Sequence, residues 1–172
     1  MIAAKRKIEG LLLVVDESLT SKNAIQYVGR LLGGRRGFEI HLLYLLPPLP
    51  PALLEFGGAE DPRREEELDA ELRRDQKKWI ESAQSSAEPV LDEATRSLRR
   101  VGIADRNIHR GFSYPTEPRD AAHAILEEAR AKKCCTVAIG HKTPSWFRKI
   151  ASGDIAERVL QHASGISLWI VQ

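Results

Sequence analysis

Thr136-Val137-Ala138-Ile139-Gly140-His141-Lys142-Thr143, continued through Gly153-Asp154 to Leu160, reads as a strand, a loop and a helix. Cys135 to Ile139 is a short β-branched and apolar run, the pattern of a strand buried on both faces of a parallel sheet. Gly140 then releases the backbone into a loop of basic and aromatic residues. Asp154 opens an amphipathic segment with Ile155, Val159, Leu160 and Ala163 at helical spacing. In open α/β sheets, ligands sit at the carboxyl ends of strands, where helix N-termini direct free N–H groups outward. One wall of any site in this chain is therefore expected here.

Working outward, the same grammar recurs. Ile8 to Val15 is a second buried strand, ending at Asp16 with Glu17-Ser18 behind it. A helix follows, with Thr20 or Ser21 as its cap and Ala24, Ile25, Val28, Leu31 and Leu32 on one face, until Gly33-Gly34 ends it. Phe38 to Leu46 is a strand stopped by Pro47-Pro48, which completes a right-handed parallel β-α-β unit. Ile108 to Phe112, a helix through Ala121, Ala122, Ile125, Leu126 and Ala129, and a last strand from Ile166 to Val171 extend the alternation. A β-α-β-α-β-α-β-α-β order implies a parallel sheet with helices on both faces.

Between about residues 47 and 87 the texture changes. Pro47, Pro48, Pro50 and Pro51 lead into a loop carrying Leu53, Leu54 and Phe56. A densely charged helix with a thin stripe of Leu68, Leu72 and Trp79 follows. The expectation is a solvated helix face beside a loop that either folds over the sheet or docks a partner protein. Pro89 is expected to kink or restart the helix, after which Val90, Leu91, Ala94, Leu98 and Val101 face the core.

At 172 residues the chain reads as one domain over 1–172. Its 26 Lys+Arg and 24 Asp+Glu are interspersed, and a net charge of +2 gives no steering field for nucleic acid. The apolar run at Leu11 to Val15 is too short for a signal core or a membrane span, so the expected setting is cytoplasmic. Adjacent Cys134 and Cys135 fit neither a disulfide staple, a zinc spacing nor a redox pair. His41, His109, His123 and His162 lack a metal-ligand spacing, and no metal site is expected. Ser18 and Ser152 lie in no nucleophile motif, and neither Gly-x-Ser-x-Gly nor Gly-x-x-x-x-Gly-Lys-Ser occurs.

The order of elements, the Asp16 at the first strand's end and the glycine loop after the fourth strand resemble the universal stress protein family. The last third carries most of the likeness: Glu-Pro-Arg-Asp-Ala-Ala-His-Ala-Ile, Thr-Val-Ala-Ile-Gly-His-Lys, the loop to Gly153, Gln-His-Ala-Ser, and Ser-Leu-Trp-Ile-Val. The resemblance implies a doubly wound, five-stranded parallel sheet of order 3-2-1-4-5, of the adenine nucleotide alpha-hydrolase type. It also implies a homodimer, here through the strand Ile166 to Val171, and in one branch an ATP site. That branch carries Gly-x-x-Gly, nine residues, then Gly-Ser or Gly-Thr, supplying N–H groups and a hydroxyl to the phosphates.

The corresponding residues here are Gly140, Thr143, Gly153 and Asp154, and two of these four depart from the pattern. Thr143 brings a Cβ where close backbone approach is expected. Asp154 puts a carboxylate where a phosphate would sit, and two anions about 4 Å apart repel by roughly 4 kcal/mol at an effective dielectric of 20. Asp154 also precedes the apolar helical pattern by one residue, with Glu157 three residues later, as in a capping box. Against this stand Lys142, Arg148 and Lys149, with His141, which offer positive charge to an anion. The resemblance places Asp16 beside the adenine and ribose, Leu45 at the base pocket, and Ile155 at the start of the helix after the loop. Asp16 is equally a turn acceptor, whereas Leu45 reads as core rather than as a recognition surface.

The reading is a regulatory or binding protein without catalytic turnover, with a degraded ATP loop and no cofactor. The alternative is an adenine-nucleotide binder, with Mg and slow ATP hydrolysis. An ATP-pyrophosphatase-like ligase is a third class, but it wants Ser-Gly-Gly-x-Asp-Ser where this chain has Asp16-Glu17-Ser18-Leu19-Thr20. Trp146-Phe147 is either an exposed anchor for a protein partner or a closure over the sheet end.

Overall fold

The computed structural model describes residues 9–54, 61–115, 120–141 and 155–172. Five strands, β1 (Glu9–Val15), β2 (Phe38–Leu45), β3 (Ile108–Ser113), β4 (Cys134–Gly140) and β5 (Ser167–Val171), form one sheet in the order β3-β2-β1-β4-β5. Every neighbouring pair is parallel. This is the expected order. The strands differ from the sequence reading only by a residue or so at their ends, where pairing with the neighbour decides.

Helices α1 (Leu19–Leu32) and α2 (Pro62–Arg100) cover one face, and α3 (Ala121–Ala131) and α4 (Ile155–His162) cover the other. β1 shows why the central strands read as unbroken apolar runs. Leu11, Leu13 and Val15 pack with Ala24, Val28, Leu91 and Leu98 of α1 and α2. Leu12 and Val14 pack with Ile125, Leu126 and Val159 of α3 and α4. Each face removes apolar side chains from water, worth about 1.5–3 kcal/mol per fully buried Leu, Ile or Val.

α2 does not break where a restart was one expectation. It runs uninterrupted for 39 residues through Pro89, from a start fixed by Asp61, whose side chain accepts from the Arg63 N–H, with Pro62 at the first helical position. The helix does not restart at Pro89. Its C-terminal half is held against the sheet by Ala87, Leu91, Ala94 and Leu98, all buried, and one missing backbone donor is outweighed by that packing. Arg110 on edge strand β3 also pairs with Asp92 at 2.8 Å and with Glu88, bracketing the proline from the next layer. The N-terminal half keeps the predicted solvated character. Its pairs Arg73–Asp69, Lys77–Glu81 and Lys78–Asp75 are exposed and contribute a few tenths of a kcal/mol each.

The Pro-rich stretch forms a short 3₁₀ turn at Pro51–Leu53, and the Leu53 carbonyl accepts from Gln76 Nε2 of α2 at 2.7 Å. This part of the loop is tied to the chain's own helix, while Leu54 remains exposed and Phe56 lies outside the described residues. At the other side, β5 is held by α1. Tyr27 meets Trp169 edge-on with centroids 6.1 Å apart, and Asn23 Nδ2 donates to the Gln172 carbonyl at 3.1 Å.

Candidate functional site

The carboxyl end of β1 turns directly into α1, and four side chains build the corner. The Asp16 carboxylate accepts from the Ser18 N–H at 2.7 Å, the Ser18 hydroxyl accepts from the Ser21 N–H at 3.1 Å, and the Ser21 hydroxyl accepts from the Asp16 N–H at 2.9 Å. Ser18 Oγ also lies 3.2 Å from Thr20 Oγ1. Ser18, in an extended conformation, is therefore the cap of α1, rather than Thr20 or Ser21. Those two residues are buried inside the first turn, and Ser21 turns its hydroxyl back to the strand end. Asp16, only 8% exposed, has the turn-acceptor role that its position allowed.

Gly140 ends β4 against this same corner. A Cβ built on it would come within 2.7 Å of the Thr20 carbonyl carbon and 2.8 Å of the Ser21 nitrogen, both backbone atoms. The absence of a side chain thus lets β4 and the first turn of α1 meet. Asp16 and Gly140 are brought together, with Ser21 between them. The chain leaves β4 through His141, whose N–H donates to the Val171 carbonyl at 2.7 Å.

Leu45 and Ile155 belong to the core on the α3/α4 face, 2% and 1% exposed, in one cluster with Val14, Ile139 and Val159. They sit under the carboxyl end of the sheet. Lys142, Thr143, Gly153 and Asp154, and with them Trp146, Phe147, Arg148 and Lys149, lie outside the described residues.

Beside the corner, the Tyr44 hydroxyl donates to Glu17 Oε1 at 2.5 Å. Burial first, and then that bond to Glu17, push the phenol well above its usual range, so it remains a donor. A groove of about 440 Å³ opens between Glu17, Tyr44, Pro47, Trp79 and Ser86, where the Pro-rich stretch leaves the sheet.

A second cluster, which spacing along the chain does not reveal, lies near the amino ends of β2 and β3. His41 and His109 are direct register partners on these adjacent strands, and their rings stack with centroids 4.6 Å apart. Glu39, two residues before His41 and so on the same face, places Oε2 4.0 Å from His41 Nε2 and 3.6 Å from His109 Nε2. Burial and then His109 hold His41 below the ordinary histidine range. The expectation of no metal site rested on separations within single segments. The ligand-type side chains converge instead across a strand pair, for which Glu39-x-His41 in a strand was the available signal.

The sequence model described as the universal stress protein family matches residues 8–172. Among solved structures, UspA from Lactobacillus plantarum superposes with a TM-score of 0.63 at 15% identity, covering 96% of this chain and 99% of that one. A universal stress protein family member from Burkholderia pseudomallei gives 0.61 at 18% identity, covering 95% and 96%. The Archaeoglobus fulgidus universal stress protein in complex with dAMP gives 0.56 at 15% identity, covering 97% and 99%. No curated protein sequence matches the chain.

Proposed function

The chain belongs to the universal stress protein family, and on that premise we propose that it is a non-catalytic binding and regulatory member whose phosphate loop no longer accepts ATP. The observation that carries this reading is Asp154, a carboxylate at the position where the family pattern provides a phosphate-binding hydroxyl. Its repulsion of a phosphate, about 4 kcal/mol at about 4 Å and an effective dielectric of 20, equals about three powers of ten in affinity. The role is then exercised through protein contact.

The assembly we propose is a homodimer paired through β5. β5 is the outermost strand of the sheet and carries Ile170, 40% exposed. An apolar edge strand is covered economically by a second copy of itself. Light scattering at micromolar concentration checks this: twice the chain mass is expected, and a monomer refutes it. Among the described residues, no helix is long and apolar enough to cross a membrane.

One observation favours a second reading, an adenine-nucleotide binder with slow ATP hydrolysis: a similar structure was solved in complex with dAMP. Lys142, Arg148 and Lys149 would then neutralise the phosphates beside Asp154. Calorimetric titration with ATP and magnesium of the wild type and the Asp154→Ser variant separates the two. Silence from the wild type with binding in the variant supports the degraded loop. Sub-millimolar binding by the wild type gives first place to the nucleotide reading.

A further inference from the structure

We propose that Glu39, His41 and His109 form a binding site for one divalent ion of the zinc class, at the opposite end of the sheet from the β1–α1 corner. Two imidazoles and one carboxylate are the donor set that borderline transition ions take, whereas magnesium and calcium prefer oxygen alone. The three candidate ligand atoms all lie within 4.8 Å of one another. Ligands on a tetrahedral ion with bonds of about 2.0–2.1 Å are about 3.4 Å apart. The two Glu39 separations, 3.6 and 4.0 Å, are already close to that figure. The remaining closure needs the stacked rings to swing on their side-chain torsions, while paired β2 and β3 hold the backbones in place.

The surroundings fit a ligand site. The histidines line a groove of about 230 Å³ together with Leu12, Leu43, Glu128 and Lys132. The His41 side chain is 15% exposed and that of His109 43%, so the site has a shielded floor and an open entrance. A water molecule or the Glu128 carboxylate can complete the coordination from the groove. Lys132 at the C-terminal end of α3 lines the same groove, and its positive charge opposes the ion. This inference is independent of the nucleotide question, because the residues concerned are those of the sheet's other end.

The test is calorimetry of metal-stripped, full-length protein with Zn²⁺, paired with Co²⁺ absorption spectra, for the wild type and folded variants checked by circular dichroism. The expected result is one Zn²⁺ per chain and a visible Co²⁺ band typical of tetrahedral nitrogen and oxygen coordination. His109→Ala and Glu39→Gln should each weaken binding at least about tenfold, since even outer-shell partners of a metal are worth that much. Lys132→Gln should tighten it. His123→Ala should leave it unchanged, although His123 and His162 form the other histidine pair, with centroids 4.8 Å apart. So should Cys135→Ser, which removes the exposed thiol. Absence of stoichiometric Zn²⁺ binding, binding indifferent to His109→Ala, or binding lost in His123→Ala or Cys135→Ser would each overturn the proposal.

Discussion

Gly140→Ala separates a packing glycine from a ligand-loop glycine. The added Cβ would sit 2.7 Å from the Thr20 carbonyl carbon, 2.8 Å from the Ser21 nitrogen and 2.9 Å from the Thr20 carbonyl oxygen. All three are backbone atoms in the first turn of α1, so no side chain can rotate away. Either β4 or α1 must move, and the Ser21 hydroxyl that accepts from the Asp16 N–H moves with it. Overpacking of this kind costs about 1–3 kcal/mol, and the rigidity of the neighbours places this case at about 2–3. For a chain of 172 residues, each kcal/mol is about 2–4 °C in Tm, so a loss of about 4–12 °C is expected. Urea unfolding followed by circular dichroism should show a midpoint lower by about 1 M for a slope of about 2 kcal/mol per M. Gly111→Ala is the matched control in a strand, because its nearest neighbour atom, the Leu42 carbonyl oxygen, is 3.9 Å away. It should change stability by less than about 0.5 kcal/mol. If Gly140→Ala also unfolds within about 0.5 kcal/mol of the wild type, the packing account of Gly140 is wrong.

Pro89→Ala should stabilise the chain by about 1–3 kcal/mol, because α2 already continues through the proline and alanine restores a helical donor; unchanged or lower stability in the same urea assay would count against it. A third prediction concerns alkaline pH. Burial first, and then Cys135, push the Cys134 thiol up from 9.0 to about 11. A raised acid pKa contributes stability that is present below pH 9 and lost as pH rises towards about 11, since the unfolded thiol ionises first. Urea midpoints measured at pH 8, 9, 10 and 11 should fall progressively, and less steeply in Cys134→Ala; an identical decline in both would reject Cys134 as a cause.

The sheet and its order were legible because β1 from Gly10 and β4 from Val137 are buried on both faces, which demands unbroken apolar runs, although Cys135, expected inside, is exposed, and because α1 and α3 show their core stripes openly. The thin stripe of α2 was equally legible as solvated surface. Its continuity through Pro89 was not, since propensity marks a local cost and cannot weigh it against Leu91, Ala94 and Leu98 packing on the sheet. The cap of α1 is hidden from the sequence for a related reason. Ser18, Thr20 and Ser21 all carry suitable hydroxyls, and only the corner decides that the helix starts after Ser18, which accepts from the Ser21 N–H.

At the candidate site, Asp16 was placed correctly at a strand end, but its choice of the Ser18 N–H as partner follows from the turn rather than from composition. From the sequence Gly140 reads as a loop glycine, because its reason for lacking a side chain, the first turn of α1, lies about 120 residues earlier in the chain. The His41–His109 pair was out of reach for the same reason: it depends on the register between β2 and β3.

The central claim is that the carboxyl end of this sheet does not accept ATP, and amide NMR spectra of the wild type during titration with ATP and magnesium test it at the residues themselves. The account predicts no saturable shifts at Asp16, Ser18, Gly140 or His141 up to millimolar nucleotide. Saturable shifts at these four amides with a sub-millimolar midpoint would contradict it.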